Sequence, residues 1–102
     1  MPRISKPRNC RVHAERQLAF EQEINGRTVH VHITWEAALR KPTAEITRAD
    51  ERAAIDNVER DPHFEISRCV IEKVRAGAAG DRDHPIFIMS ADLASTVSAR
   101  DK

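Results

Sequence analysis

The chain has 102 residues, 40% of them apolar and 32% charged, with a formal net charge of +1. That length predicts one domain with a single modest core and little surface left over for a deep pocket. The composition excludes wholesale disorder, and no apolar run approaches the roughly 18 residues of a membrane span, so a cytoplasmic protein without membrane contact is expected.

The charge is unevenly spread. Residues 1–16 carry Arg3, Lys6, Arg8, Arg11 and Arg16 against Glu15 alone, whereas the remainder has more acids than bases. With Pro2 and Pro7 and no periodic apolar pattern, residues 1–14 read as a flexible basic arm. No apolar run follows these basic residues, unlike a secretory signal. Cys10 and Cys69 lie far apart with no CxxC spacing, so both are expected to be reduced thiols, Cys69 as a small buried residue on a helix.

From Gln17 the pattern changes. QLAFEQEI alternates apolar and polar residues, Asn25-Gly26 intervenes, and RTVHVHITW alternates again. Asn-Gly between two alternating runs predicts a hairpin, because a type I′ turn needs positive φ at both central residues. A two-residue loop fixes the register, so Ile24 faces Arg27, Gln22 faces Val29, Phe20 faces Val31 and Leu18 faces Ile33. Leu18, Phe20, Ile24, Val29, Val31, Ile33 and Trp35 then share a core face, interrupted by Gln22. Ala19, Glu21, Glu23, Thr28, His30, His32 and Thr34 share a face expected to be wet.

Thr34 is placed to cap a short helix, WEAALRK, that stops at Pro42. Thr47 with Asp50 three residues on predicts a second helix to about Arg60, with Ala54, Ile55 and Val58 inward. Asp61-Pro62 reads as the N-cap and first residue of a third helix, PHFEISRCVIEKVRA, that buries Ile66, Cys69, Val70 and Val74 and ends at Gly77. AGDRDHP is a turn, and IFIM an apolar strand expected to be central or covered on both sides. SADLAS begins a last short turn before a polar tail at 98–102. The expectation is a single α+β domain over 15–97 with order β-β-α-α-α-β. It would have two layers, with a β-hairpin and a C-terminal strand forming a three-stranded sheet and helices packed on one face.

Phe20, Asn25-Gly26, Ile33, Trp35-Glu36-Ala37-Ala38-Leu39, Ile66, Arg68, Ile71-Glu72 and Asp92-Leu93 form a recognisable series. Over about Gln17 to Leu93 the chain resembles a family of small bacterial proteins catalogued as a domain of unknown function, family 1488. One departure is an additional alanine in the Glu-Ala-Leu run. The resemblance implies an α+β fold and a bacterial cytosolic setting, and it implies no activity.

Three readings of function compete. His30 and His32 project from one strand face, and Glu21 sits opposite His30; two histidines and a carboxylate are the ligand set of many zinc or iron sites. Against this, no helix is expected over that face, and alternating polar residues on a wet strand need no explanation. Arg3, Lys6, Arg8, Arg11 and Arg16 on a mobile arm would suit phosphate contact and nucleic-acid binding. Yet the body is acidic, and Phe20, Trp35, Phe64 and Phe87 mostly fall on core-facing positions, which leaves no stacking platform.

Catalysis has no scaffold of its own. The three glycines form no nucleophile elbow, P-loop or dinucleotide fingerprint, and no cofactor motif is present. Gly77-Ala-Ala-Gly80 matches a backbone-clamping GxxG only superficially, since Asp81 and Asp83 follow it. His13, His63 and His84 read as arm, helix-end and surface residues. The favoured expectation is a non-catalytic binding or regulatory interaction module with a protein partner, its contact an exposed apolar patch near Phe64 or Ile71. An open sheet edge would make it a monomer or weak dimer.

Overall fold

The computed structural model describes residues 3–93. Its elements run β1 (Arg8–Ala14), β2 (Gln17–Ile24), β3 (Arg27–Thr34), α1 (Trp35–Leu39), α2 (Glu51–Arg60), α3 (Glu65–Arg75) and β4 (Ile86–Ile88), with a helical turn at 90–93. The fold is α+β, but the sheet has four strands in the order β1-β2-β3-β4. The expected three-stranded sheet therefore gains a strand from the segment read as an arm. The expected polar tail at 98–102 lies outside the described residues.

The central hairpin forms for the reason the turn predicts. Asn25 and Gly26 sit at φ 53° and 85°, and the register pairs Ile24 with Arg27, Gln22 with Val29, Phe20 with Val31 and Leu18 with Ile33. Burial alternates accordingly: Leu18, Phe20, Val29, Val31 and Ile33 are sealed, while Glu21, Glu23, His30 and His32 on the opposite face stay partly open. Helices cover the first face, where Ala54, Val58, Ile66, Cys69 and Val70 complete one core with Ile86, Ile88 and Leu93.

β1 escapes alternation because it is an edge strand with two register irregularities against β2, and six of its seven residues are exposed. It is held by backbone pairing and by flanking contacts. Ile4 bridges to Ile24, and the Asn25 N–H donates to the Arg3 carbonyl at 2.8 Å while Asn25 Oδ1 accepts from the Arg3 N–H at 3.0 Å. β4 corrects a second expectation. It lies parallel to β3 at the other edge, Val31 beside Ile86 and Ile33 beside Ile88, so only its alternate residues are covered.

Helix ends follow side-chain chemistry. Thr34 Oγ1 accepts the Ala37 N–H at 3.2 Å, and Arg40 closes α1 in the left-handed region at φ 57°. Thr47 and Asp50 form the reciprocal box before α2. The third helix starts later than the Asp61-Pro62 signal predicts. Asp61, His63 and Phe64 all have positive φ, which breaks the chain until Glu65. The cap is nevertheless Asp61: its carboxylate accepts from the N–H groups of Ile66 (2.8 Å) and Ser67 (3.0 Å) and from Ser67 Oγ (2.6 Å). Ser67 Oγ in turn accepts from Gln22 Nε2 at 2.8 Å, and the same amide donates to the Ser5 carbonyl. Gln22, the polar interruption of the core face, thus ties the N-terminal segment and β2 to α3 through a buried network.

Candidate functional site: the open face of the sheet

Helices leave one sheet face uncovered, and all of the metal-site candidates and two of the five basic candidates, Arg8 and Arg11, bear on it. Register sets Glu21 opposite His30 and places Arg11, Ala19, His32 and Phe87 in one row across the four strands. Small Ala19 is buried in the middle of that row, which lets rings from β1 and β3 meet above it. His13 stacks on His32 with centroids 4.1 Å apart and planes tilted by 34°, and Phe87 meets the far side of His32 edge-on at 5.2 Å.

The carboxylates of this face are already engaged. Glu21 accepts from Arg11 and from Asn9 Nδ2 (3.1 Å), and Glu23 pairs with Arg8 at 3.3 Å. Burial pushes the Glu21 carboxyl up, but the hydrogen bonds from Arg11 and Asn9, with the charges of Arg11 and His30, outweigh it and hold the group below its ordinary value. His32 is lowered, first by its partial burial and then by the positive neighbours His13, Arg11 and His30. Its Nδ1 is shielded and has no hydrogen-bond partner among the described residues.

These positions separate the expected sites. Glu21, His30 and His32 share a face as the register predicts, yet they do not form a ligand set: Arg11 and Asn9 occupy Glu21, and His32 is sandwiched between rings. Among the described residues no group of three or more His, Cys, Asp or Glu side chains is placed to hold a metal ion. The five basic residues do not act as a free set either. Arg8 and Arg11 pair with the sheet's acids, and Lys6 Nζ donates to the Arg60 carbonyl at 3.3 Å. Arg3 binds Asn25 through its backbone, and Arg16 sits in the β1–β2 turn at φ 59°.

Of the two apolar residues expected at the surface, Phe64 is exposed, on the broken turn before α3, and Ile71 is not. The strongest patch is Phe87, 54% exposed, and Met89, 58% exposed. Phe87 lies on the open face against His32, and Met89 follows just past the end of β4, where its N–H donates to Asp92 Oδ2 at 2.8 Å. Sequence reading missed this pair because an apolar IFIM run looks alike in a central and an edge strand. Both thiols are pushed up to about 11, Cys10 by burial and Glu59 and Cys69 by burial foremost, so neither is a ready thiolate nucleophile at neutral pH. Among the described residues no helix is long and apolar enough to cross a membrane. No protein family, curated protein or solved structure matches this chain.

Proposed function

We propose that this chain is a non-catalytic binding or regulatory interaction module that docks a protein partner on the open sheet face along β4. The observation that carries the reading is the pair Phe87 and Met89, two large apolar side chains more than half exposed and adjacent to a row of rings. Isolated exposed hydrophobes are ordinary, but two so close in the chain, Phe87 in β4 and Met89 just past its end, have the character of an interface centre. Elsewhere on the same face, on β1 and β2, the charges are mixed, Arg8 with Glu23 and Arg11 with Glu21, which favours a protein surface over a polyanion. Membership of family 1488 and a cytoplasmic setting belong to the same proposal.

The test compares the intact chain with a Phe87→Ser/Met89→Ser chain, each used as bait under identical conditions. The expected outcome is a partner retained by the first and lost by the second, with unchanged thermal unfolding. Equal recovery by both would overturn the proposed surface. Removing residues 1–14 does not isolate a nucleic-acid role, because it deletes a strand. Reversing Arg3, Lys6 and Arg16 leaves the ion pairs of β1 in place and is the appropriate probe; if oligonucleotide binding existed and was lost in that variant, the basic segment would replace β4 as the binding surface.

A further inference from the structure

The N-terminal edge of the sheet is held in unlike ways along its length. Before β1, the Ser5 carbonyl accepts from Gln22 Nε2 at 2.8 Å, and Ser5 Oγ accepts the Glu23 N–H at 2.9 Å. After β1, the Trp35 N–H donates to the Arg16 carbonyl at 3.0 Å. Between these anchors the strand has two register irregularities and six exposed residues of seven. There His13 reaches across β2 and stacks on His32 of β3, with ring centroids 4.1 Å apart.

The surroundings of His32 suit a neutral ring. Phe87 of β4 closes its other side edge-on at 5.2 Å, and buried Ala19 of β2 lies beside it in the row. Its Nδ1 is sealed and has no hydrogen-bond partner among the described residues. A bare nitrogen there is a missed acceptor, whereas a protonated one is a buried charged donor, a far larger cost. The neighbouring charges oppose a proton too. His13 and Arg11 face it from β1 and His30 from β3 itself. The carboxylate of β2, Glu21, lies opposite His30 and is engaged by Arg11 and Asn9, and Phe87 of β4 brings no charge. Burial first, and these positive neighbours next, hold His32 below its ordinary value of 6.5.

We infer that His32 is an acid-operated latch: on taking up a proton its ring leaves the stack, and residues 11–14 lift off β2 while both flanking anchors hold. The protonated ring gives its Nδ1–H a partner by turning out to water, which removes the contact with His13. If it stays, two cationic imidazoles 4.1 Å apart repel each other. The freed ring is protonated before the stacked one as pH falls through 6.5, so acid favours the open form. Well above that pH both rings are neutral and the edge stays closed. Glu21 is held below its ordinary value, so its contact with Arg11 persists and tethers the lifted segment. In the hairpin register Gln17 and Ala19 turn their N–H and C=O groups toward β1. Lifting residues 11–14 therefore opens a short stretch of β2 edge to strand addition, which the closed sheet denies. The latch does not depend on what docks at Phe87.

The experiment follows amide hydrogen exchange of the full chain by NMR from about pH 7.5 to about pH 5, the range in which a histidine changes charge. Each rate is expressed as protection relative to unstructured chain at the same pH. Protection of residues 11–14, Gln17 and Ala19 is expected to fall about tenfold, with a midpoint matching the His32 imidazole titration. Ser5, Phe20 and Val31 are expected to keep theirs. His32→Phe retains a ring between His13 and Phe87 without a charge, and should stay closed throughout the range. His32→Gln removes stack and charge together, and should show reduced protection of the same residues without pH dependence. Thermal unfolding confirms the fold of each variant. Unchanged protection in the intact chain, or an acid loss that survives in both variants, would overturn the inference. So would a parallel loss at Phe20 and Val31, which marks a global opening, or a midpoint that departs from the His32 titration.

Discussion

The two edges of the sheet are built on opposite plans. β1 is seven residues long, irregular in register and exposed along almost its whole length, and its outward charges are paired with Glu21 and Glu23. Such an edge discourages strand addition, since bulges and charge are the usual ways proteins blunt an open strand. β4 is three residues long, buries Ile86 and Ile88 deeply, and leaves Phe87 bare between them. It is protected by shortness alone. One edge is thus closed to partners by chemistry, whereas the other is anchored firmly and left apolar on its open side.

The largest effect expected from this contrast concerns anchoring. Ile88→Ala removes a side chain that is 1% exposed and should destabilise the fold by about 2–5 kcal/mol. Val12→Ala, on the other edge, should cost less than about 0.5 kcal/mol because that residue is 45% exposed. Chemical denaturation of both variants checks the pair, and comparable losses would mean the two edges are equally built in.

A smaller effect sits at the approach to β4. Gly80 has φ +68°, its carbonyl accepts the His30 N–H at 2.7 Å, and a Cβ there would lie 2.7 Å from Val29 Cγ1. Gly80→Ala combines a left-handed backbone with this contact and should cost about 1–3 kcal/mol. A neutral result in the same denaturation measurement would show that the segment leading into β4 yields easily.

The smallest effect joins the two sides across the sheet. His32 titrates below its ordinary value of 6.5. Well above that pH it is neutral in both folded and unfolded chains and adds no pH dependence. As pH falls through 6.5 the unfolded chain takes up the proton first, so stability declines on acidification, and His32→Gln should lessen the decline. His13→Ala should move the His32 midpoint back toward 6.5 in an NMR titration of the imidazole resonances. An unmoved midpoint would separate β1 from β3 electrostatically.

Much of the fold was readable where local chemistry decides. Asn25-Gly26 dictates its turn at any location, Thr34 and Thr47 cap because their side chains reach nearby N–H groups, and alternation in β2 and β3 records one dry face. β1 was unreadable because its pairing is tertiary: a bulged edge exposed on both sides has no alternation to display. The start of α3 misled for a related reason. Asp61 does cap that helix, but by reaching past a turn in which His63 and Phe64 are left-handed, a conformation that residue preferences argue against. The pairing of Glu21 with His30 was predictable from register, whereas the capture of Glu21 by Arg11 required knowing that β1 lies alongside.

The parallel pairing of β3 with β4 also bears on how the sheet comes together. β2 and β3 meet through a two-residue loop, so their contacts close over short stretches of chain. β4 reaches β3 only after all of the chain between Thr34 and Ile86 has been routed through the helices. Loop closure of that length is entropically slow compared with a hairpin. Substitutions at Phe20 or Val31 should therefore slow folding, whereas those at Ile86 or Ile88 should chiefly hasten unfolding. The strand that carries the exposed Phe87 is accordingly expected to be secured after the hairpin it completes.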